Sequence, residues 1–312
     1  MNRLDKDRIA IPEDKFSGSP VSQETGKPAN VRFRNVLVAT DFSDTTHETV
    51  MYAVDFARRF GSTIYVAHVI PPDVFPLLPP SEWPAIAKEE AESREKIMLQ
   101  IEEELTVLPH EILLQRGDIW QNLERIIQAK NIDLLIIGTH GRSGMAKVLI
   151  GSTAEKIFRQ ADRPVMTVGP VAGSGASHTT GFRNILYGTD FGPESLSAAR
   201  YVISLAQEYG AQLTLMHAVQ NGDAELSNSA LHTLREIIPM GTKLPTPACF
   251  CVETGAPENA ILNAAAKSEA DLIVLGVPRS QILTSATSHF KQTIIYSVIT
   301  HAKCPVLTVR DF

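Results

Sequence analysis

The chain has 312 residues, 44% of them hydrophobic and 21% charged, and a net charge of −6; this is the balance of a globular protein with room for two domains of ordinary size. No lysine or arginine cluster stands out, which argues against a nucleic-acid binder, and no apolar run approaches the roughly 18 residues of a membrane helix. Three cysteines without framework spacing, Cys249, Cys251 and Cys304, point to a reducing compartment, so the cytoplasm is the expected location.

Residues 1–30 are polar and lack an apolar h-region, so they are expected to form a disordered tail rather than a signal peptide. From residue 31 strand and helix signals alternate. Residues 36–39 are a short apolar run. Across 44–60, Val50, Val54, Ala57 and Phe60 recur at helical spacing, and Gly61 stops that helix. Residues 64–70 form a second strand. A charged helix over 82–106 carries Met98, Ile101 and Leu105 as its inner stripe. Residues 112–114 form a third strand, Asp118 suits the N-cap of the next helix, and 134–137 and 165–168 complete five strands. Strands that are apolar throughout and joined by helices predict an α/β fold with a parallel sheet covered on both faces.

The unit is written twice. FRNVLVATDF at 33–42 returns as FRNILYGTDF at 182–191, 149 residues on, and at that offset Tyr52 meets Tyr201, Gly61 meets Gly210 and His68 meets His217. Later the offset is 138, so that Gly117 meets Gly255 and DLLIIG at 133–138 meets DLIVLG at 271–276. The expected organisation is a domain over 31–170, a Gly/Ser/Thr-rich linker over 171–181 and a second domain over 182–312.

Two segments fall at strand ends, where open parallel sheets bind ligands. One is Thr40-Asp41, after the first strand. The other is GTHGRSGMAKVLIGST at 138–153, after the fourth. Glycine lets a backbone approach an anion without a Cβ in the way, successive N–H groups can form a concave nest, and Gly151-Ser152-Thr153 opens a helix whose N-terminus favours negative charge. Bland readings exist for each: a capped loop for the glycines, a helix cap for Asp41, a solvated loop histidine for His140, buried structural histidines for His68 and His217, and one strand face for Cys249 and Cys251. No spacing resembles a zinc site, and no dedicated catalytic base is evident.

The spacing Gly138-x2-Gly141-x9-Gly151-Ser152 resembles the ATP-binding pattern of universal stress proteins, as do the opening NVLVATDFS, the DLLIIG run and the closing PVMTV. The resemblance covers both copies. It implies a Rossmann-like five-stranded sheet of order 3-2-1-4-5 in each copy, and an intramolecular pseudo-dimer formed through the fifth strands. It places adenine and ribose on Ala39, Thr40, Asp41 and Val69. The phosphates fall on Gly138, Thr139, Gly141, Arg142, Ser143, Gly144, Gly151, Ser152 and Thr153, with His140 in the same loop and Mg or Mn accompanying the triphosphate. In the second copy Gly276 survives, Arg279 stands at the next glycine position and no glycine follows. One nucleotide site is therefore expected, in the first copy, in a stress-response regulator. The alternatives are a slow ATPase or phosphoryl or adenylyl transferase, with Arg142 and Lys147 supplying charge, and a nucleotide-free scaffold acting through domain pairing, homodimerisation or a protein partner.

Overall fold

A computed structural model describes residues 31–42, 46–71, 83–139, 151–169, 181–277 and 286–310. The tail, most of the linker and residues 140–150 of the glycine segment lie outside them. In chain order the elements of the first copy are β1 (Asn35–Ala39), α1 (Thr46–Phe60), β2 (Thr63–Ile70), α2 (Trp83–Leu105), β3 (His110–Arg116), α3 (Ile119–Ala129), β4 (Leu134–Gly138), α4 (Ser152–Gln160) and β5 (Val165–Val168). The second copy runs β6 (Asn184–Gly188), α5 (Pro193–Tyr209), β7 (Gln212–Val219), α6 (Ala224–Glu236), β8 (Cys249–Thr254), α7 (Pro257–Lys267), β9 (Leu272–Val277), α8 (Ala286–His301) and β10 (Val306–Arg310). The third strand is longer than the apolar triplet 112–114 suggests. It pairs with β2 along its whole length, from Ile64↔His110 to Ile70↔Arg116, and backbone pairing needs no apolar side chain.

The ten strands form one sheet, β3-β2-β1-β4-β5-β10-β9-β6-β7-β8, in which the two expected five-stranded sheets join through their fifth strands. Within each copy the strands are parallel. Between copies β5 and β10 pair antiparallel, with Leu307 opposite Met166. Thr167 Oγ1 donates to the Val306 carbonyl and Thr308 Oγ1 to the Val165 carbonyl, each at 3.1 Å. Equivalent residues thus exchange equivalent bonds, as a two-fold relation between the copies requires.

Both faces of the sheet are covered. On one face α1 and α5 meet across the seam in a single core that runs through both copies. Phe56 lies edge-on to Phe33 at 5.2 Å and near Phe182 and Tyr209, both at 6.1 Å. At the margin of this cluster the Tyr209 hydroxyl donates to Asp55 Oδ2 at 2.6 Å. On the other face α3 and α4 pack on the first copy and α7 and α8 on the second. Phe158 of α4 reaches across to Tyr296 of α8, 5.2 Å between rings. The buried Arg310 guanidinium donates to the Phe158 carbonyl, satisfying a group near the C-terminus of α4.

Gly276, near the end of β9, is held by packing. A Cβ there would stand 2.4 Å from the Glu194 carbonyl oxygen and from Ser195 Cα, so the first turn of α5 lies directly on it. Gly276→Ala is expected to lower stability by at least about 1–3 kcal/mol, the usual cost of overpacking, read as a shift in urea midpoint.

Burial raises the Asp55 carboxyl pKa, against the smaller lowering effect of the Tyr209 hydroxyl and of Arg59. A carboxyl whose folded pKa lies above its unfolded value favours the fold below that unfolded value, about 3.9, and the contribution fades as pH rises through the folded value. Asp55→Asn keeps an acceptor for Tyr209 without the charge. Its urea stability relative to wild type is expected to rise between pH 4 and pH 7; a difference that falls or stays flat contradicts this account.

Candidate functional site

Because β1 and β4 are neighbours, with Ala39 opposite Ile137, the chain leaving both strands opens one crevice at the point where strand order reverses. Thr40 and Asp41 line its β1 side. The Thr40 N–H donates to the Ala67 carbonyl at 3.0 Å, which extends the β1–β2 ladder by one residue. Thr40 Oγ1 then accepts the Phe42 N–H at 2.9 Å and lies 2.6 Å from Thr46 Oγ1 at the start of α1. This side-chain turn holds Phe42 at φ 58, in the left-handed region. Phe42 stacks on His68, 4.4 Å between rings, and His68 Nδ1 lies 2.9 Å from the Thr40 carbonyl. A carbonyl oxygen only accepts, so Nδ1 carries the proton. His68 is a buried strut under the turn, and Asp41 is presented at its half-exposed rim.

On the β4 side, the Thr139 N–H donates to the Val168 carbonyl at 3.0 Å, and the Thr139 carbonyl accepts the Gly151 N–H at 2.9 Å. This bond brings the two ends of the glycine segment together. Gly151 is the N-cap of α4; its carbonyl accepts the Glu155 N–H at 2.9 Å, and it offers no side-chain acceptor to the N–H groups of Ser152, Thr153 and Ala154. Ser152 and Thr153 are exposed there. Gly138 and Thr139 are fixed by β4, and Val69 is buried in β2, on the other side of β1. The structure therefore describes Ala39, Thr40, Asp41, Val69, Gly138, Thr139, Gly151, Ser152 and Thr153 around the ends of β1, β2 and β4. His140, Gly141, Arg142, Ser143, Gly144 and Lys147 lie outside the described residues.

A cavity of about 330 Å³ adjoins Ser152 and Thr153, bounded by Pro71, Gly117, Asp118, Trp120 and Lys156. Sequence reasoning read Asp118 as a cap, and it does accept the Gln121 N–H at 2.9 Å. It missed that Lys156 Nζ crosses from α4 to Asp118 Oδ2 at 3.0 Å. Asp118 is held below the usual carboxylate range, first by Gln121 and then by Lys156. The available signal was Gly117, repeated as Gly255. These glycines have φ +120 and +124 and turn the chain from strand to helix beside the crevice in both copies.

The second copy keeps the turn and changes its surroundings. Phe191 has φ 60 and stacks on His217 at 4.3 Å, and His217 Nδ1 meets the Thr189 carbonyl at 2.8 Å. Asp190 Oδ1, however, accepts from the Gly192 N–H at 2.9 Å and from Ser195 Oγ at 2.6 Å. Tyr187, where the first copy has Val38, donates its hydroxyl to the Ser195 carbonyl, and burial pushes its pKa up to about 12. These bonds hold the first turn of α5 against Gly276. A cavity of about 230 Å³ remains, walled by Met216, Ala218, Ile261, Leu275 and Ile295. Cys249 and Cys251 lie on one side of β8, exposed and half-buried. Among the described residues no group of three His, Cys, Asp or Glu could hold a metal, and no helix is long and apolar enough to cross a membrane.

The chain matches the universal stress protein family over residues 32–169, 181–239 and 249–310. A universal stress protein of Methanocaldococcus jannaschii is 29% identical over 140 residues, which cover 44% of this chain and 82% of that protein. Another from Thermus aquaticus is 30% identical over 140 residues, covering 44% of this chain and 98% of that one. A crystal structure of a universal stress protein from Archaeoglobus fulgidus superposes with a TM-score of 0.67 at 21% identity, covering 89% of this chain and 97% of that one; at that identity the likeness speaks for the fold. With most of its length matched in three segments, the chain belongs to the universal stress protein family.

Proposed function

We propose that the crevice of the first copy binds an adenine nucleotide, ATP with Mg or Mn, and that its occupancy tunes a stress-response regulator. The observation that carries this reading is the convergence of Thr40-Asp41 and Gly138-Thr139/Gly151-Ser152 on one crevice, closed by the Gly151 to Thr139 bond. In this reading the Asp41 carboxylate accepts from ribose hydroxyls, Val69 and Ala39 border the base, and the first-turn N–H groups of α4 with the Ser152 and Thr153 hydroxyls meet the phosphates. The cation is carried on the triphosphate rather than in a carboxylate cage.

The second copy is the pairing partner and does not take a triphosphate. After Gly276 its sequence has Arg279 at the next glycine position and no further glycine, and Tyr187 stands where the first copy has Val38. A regulator also needs contact between the binding copy and its partner. Helix α4 supplies it, with Gly151 at one end and Phe158 against Tyr296 and Arg310 at the other. A ligand acts through such a contact only by favouring one arrangement over another.

Gly151 offers a clean test. Its φ is −57, and among the described residues a Cβ there would meet only the Thr139 oxygen, at an ordinary 3.6 Å. Gly151→Val is therefore expected to fold normally while blocking close approach of an anion. Titration calorimetry with Mg-ATP is expected to show saturable binding to wild type and at least tenfold weaker binding to the variant. Equal binding by both, or none by wild type, contradicts the proposal.

A further inference from the structure

A second polar cleft, of about 580 Å³, lies at the other end of the first copy, at the seam with the second. Arg32 and Arg34 lead into β1, Arg59 lies in the last turn of α1, and Ser204 and Glu208 come from α5 of the second copy. Phe60 and Thr63 complete the wall. Three guanidinium groups face one carboxylate in this concave surface. None of the three has a carboxylate within 4 Å among the described residues. Of the nearby carboxylates, Asp133 accepts the Arg34 and Asn35 N–H groups, and Asp55 accepts the Tyr209 hydroxyl while Arg59 acts on it at longer range. Arg59 also lies over the Tyr209 ring at 5.2 Å, a contact that orients a guanidinium without neutralising it.

Shared ancestry does not account for this charge. The register Asn35↔Thr63 in one copy and Asn184↔Gln212 in the other fixes the correspondence between copies. By it, Arg59 and Glu208 are each other's counterparts, so that pair occurs in both clefts, while Arg32 and Ser204 stand where the other copy has Gly181 and Asp55. These two differences make this cleft more positive than its two-fold counterpart. Three guanidinium groups beside one carboxylate leave an excess of like charge that disfavours the compact state, and the planar fork of arginine fits anionic oxygens in pairs.

We infer that this cleft binds a small polyanion, a molecule bearing several phosphate or carboxylate groups, at the opposite end of the first copy's strands from the nucleotide crevice. The inference does not depend on the nucleotide reading. The test is titration of the full chain carrying Gly151→Val with inorganic tripolyphosphate and, separately, with citrate, both at low ionic strength. Saturable one-to-one binding that weakens as NaCl is raised is expected, and the tighter of the two probes identifies phosphate or carboxylate as the recognised group.

Arg32→Gly is expected to weaken that binding about threefold and Arg32→Gly/Arg59→Gln at least tenfold, with near-UV circular dichroism unchanged. Arg58→Gln removes one charge from an exposed neighbour outside the cleft and is expected to leave binding as it was. Arg32→Lys/Arg59→Lys, which keeps charge and loses the forks, is expected to fall between wild type and the double variant. Absence of saturable binding, survival of binding in Arg32→Gly/Arg59→Gln, or equal loss in Arg58→Gln and Arg32→Gly overturns the inference.

Discussion

Val165, Met166 and Thr167 of β5 lie antiparallel to Thr308, Leu307 and Val306 of β10, and the two threonine hydroxyls each close on the opposing backbone. A parallel sheet joined to its own repeat in this way reverses direction at the seam. The carboxyl ends of β1 to β5 therefore lie along one edge of the merged sheet and those of β6 to β10 along the other. The same pairing removes two strand edges that would otherwise need cover. It also brings α1 and α5 side by side, so the aromatic cluster of Phe33, Phe56, Phe182 and Tyr209 is a core neither copy could build alone.

Within this two-fold frame the copies diverge where chemistry is concerned. The Thr-Asp-Phe turn and the histidine beneath it persist in both, with near-identical φ values and stacking distances. They persist because the turn sets where a strand hands over to a helix. Around it, Tyr187 replaces Val38 and ties down the Ser195 carbonyl, and Gly276 serves helix approach. A retained glycine is thus no sign of a retained anion site. At the seam, Arg32 and Ser204 stand where the counterpart has Gly181 and Asp55, which gives the first copy a more cationic cleft.

Much of the fold was legible in the sequence because apolar runs and helical spacing report burial directly. The second-copy elements could be read by repetition from the first. The sequence placed Thr40, Asp41 and Gly138 at the ends of β1 and β4 and Gly151 at the start of α4, and the structure sets those strand ends side by side. The merging of two sheets into one was not readable from periodicity, because VMTV and VLTV look alike whether they end a sheet or join one. The Lys156 to Asp118 bridge was also hidden, since it links residues 38 apart through side chains alone. The packing role of Gly276 was hidden for a related reason: only the position of Glu194 and Ser195 over it shows what the missing Cβ makes room for.

The central claim is that one sheet carries two crevices of common descent, of which one holds a nucleotide. The most direct measurement is denaturation of the purified protein, with identification and quantification of released nucleotide by mass spectrometry, alongside equilibrium dialysis with saturating Mg-ATP. The account predicts at most one adenine nucleotide per chain as purified and one at saturation. Two per chain at saturation would contradict the reading that the second crevice takes no triphosphate, and none under either condition would contradict the nucleotide site itself.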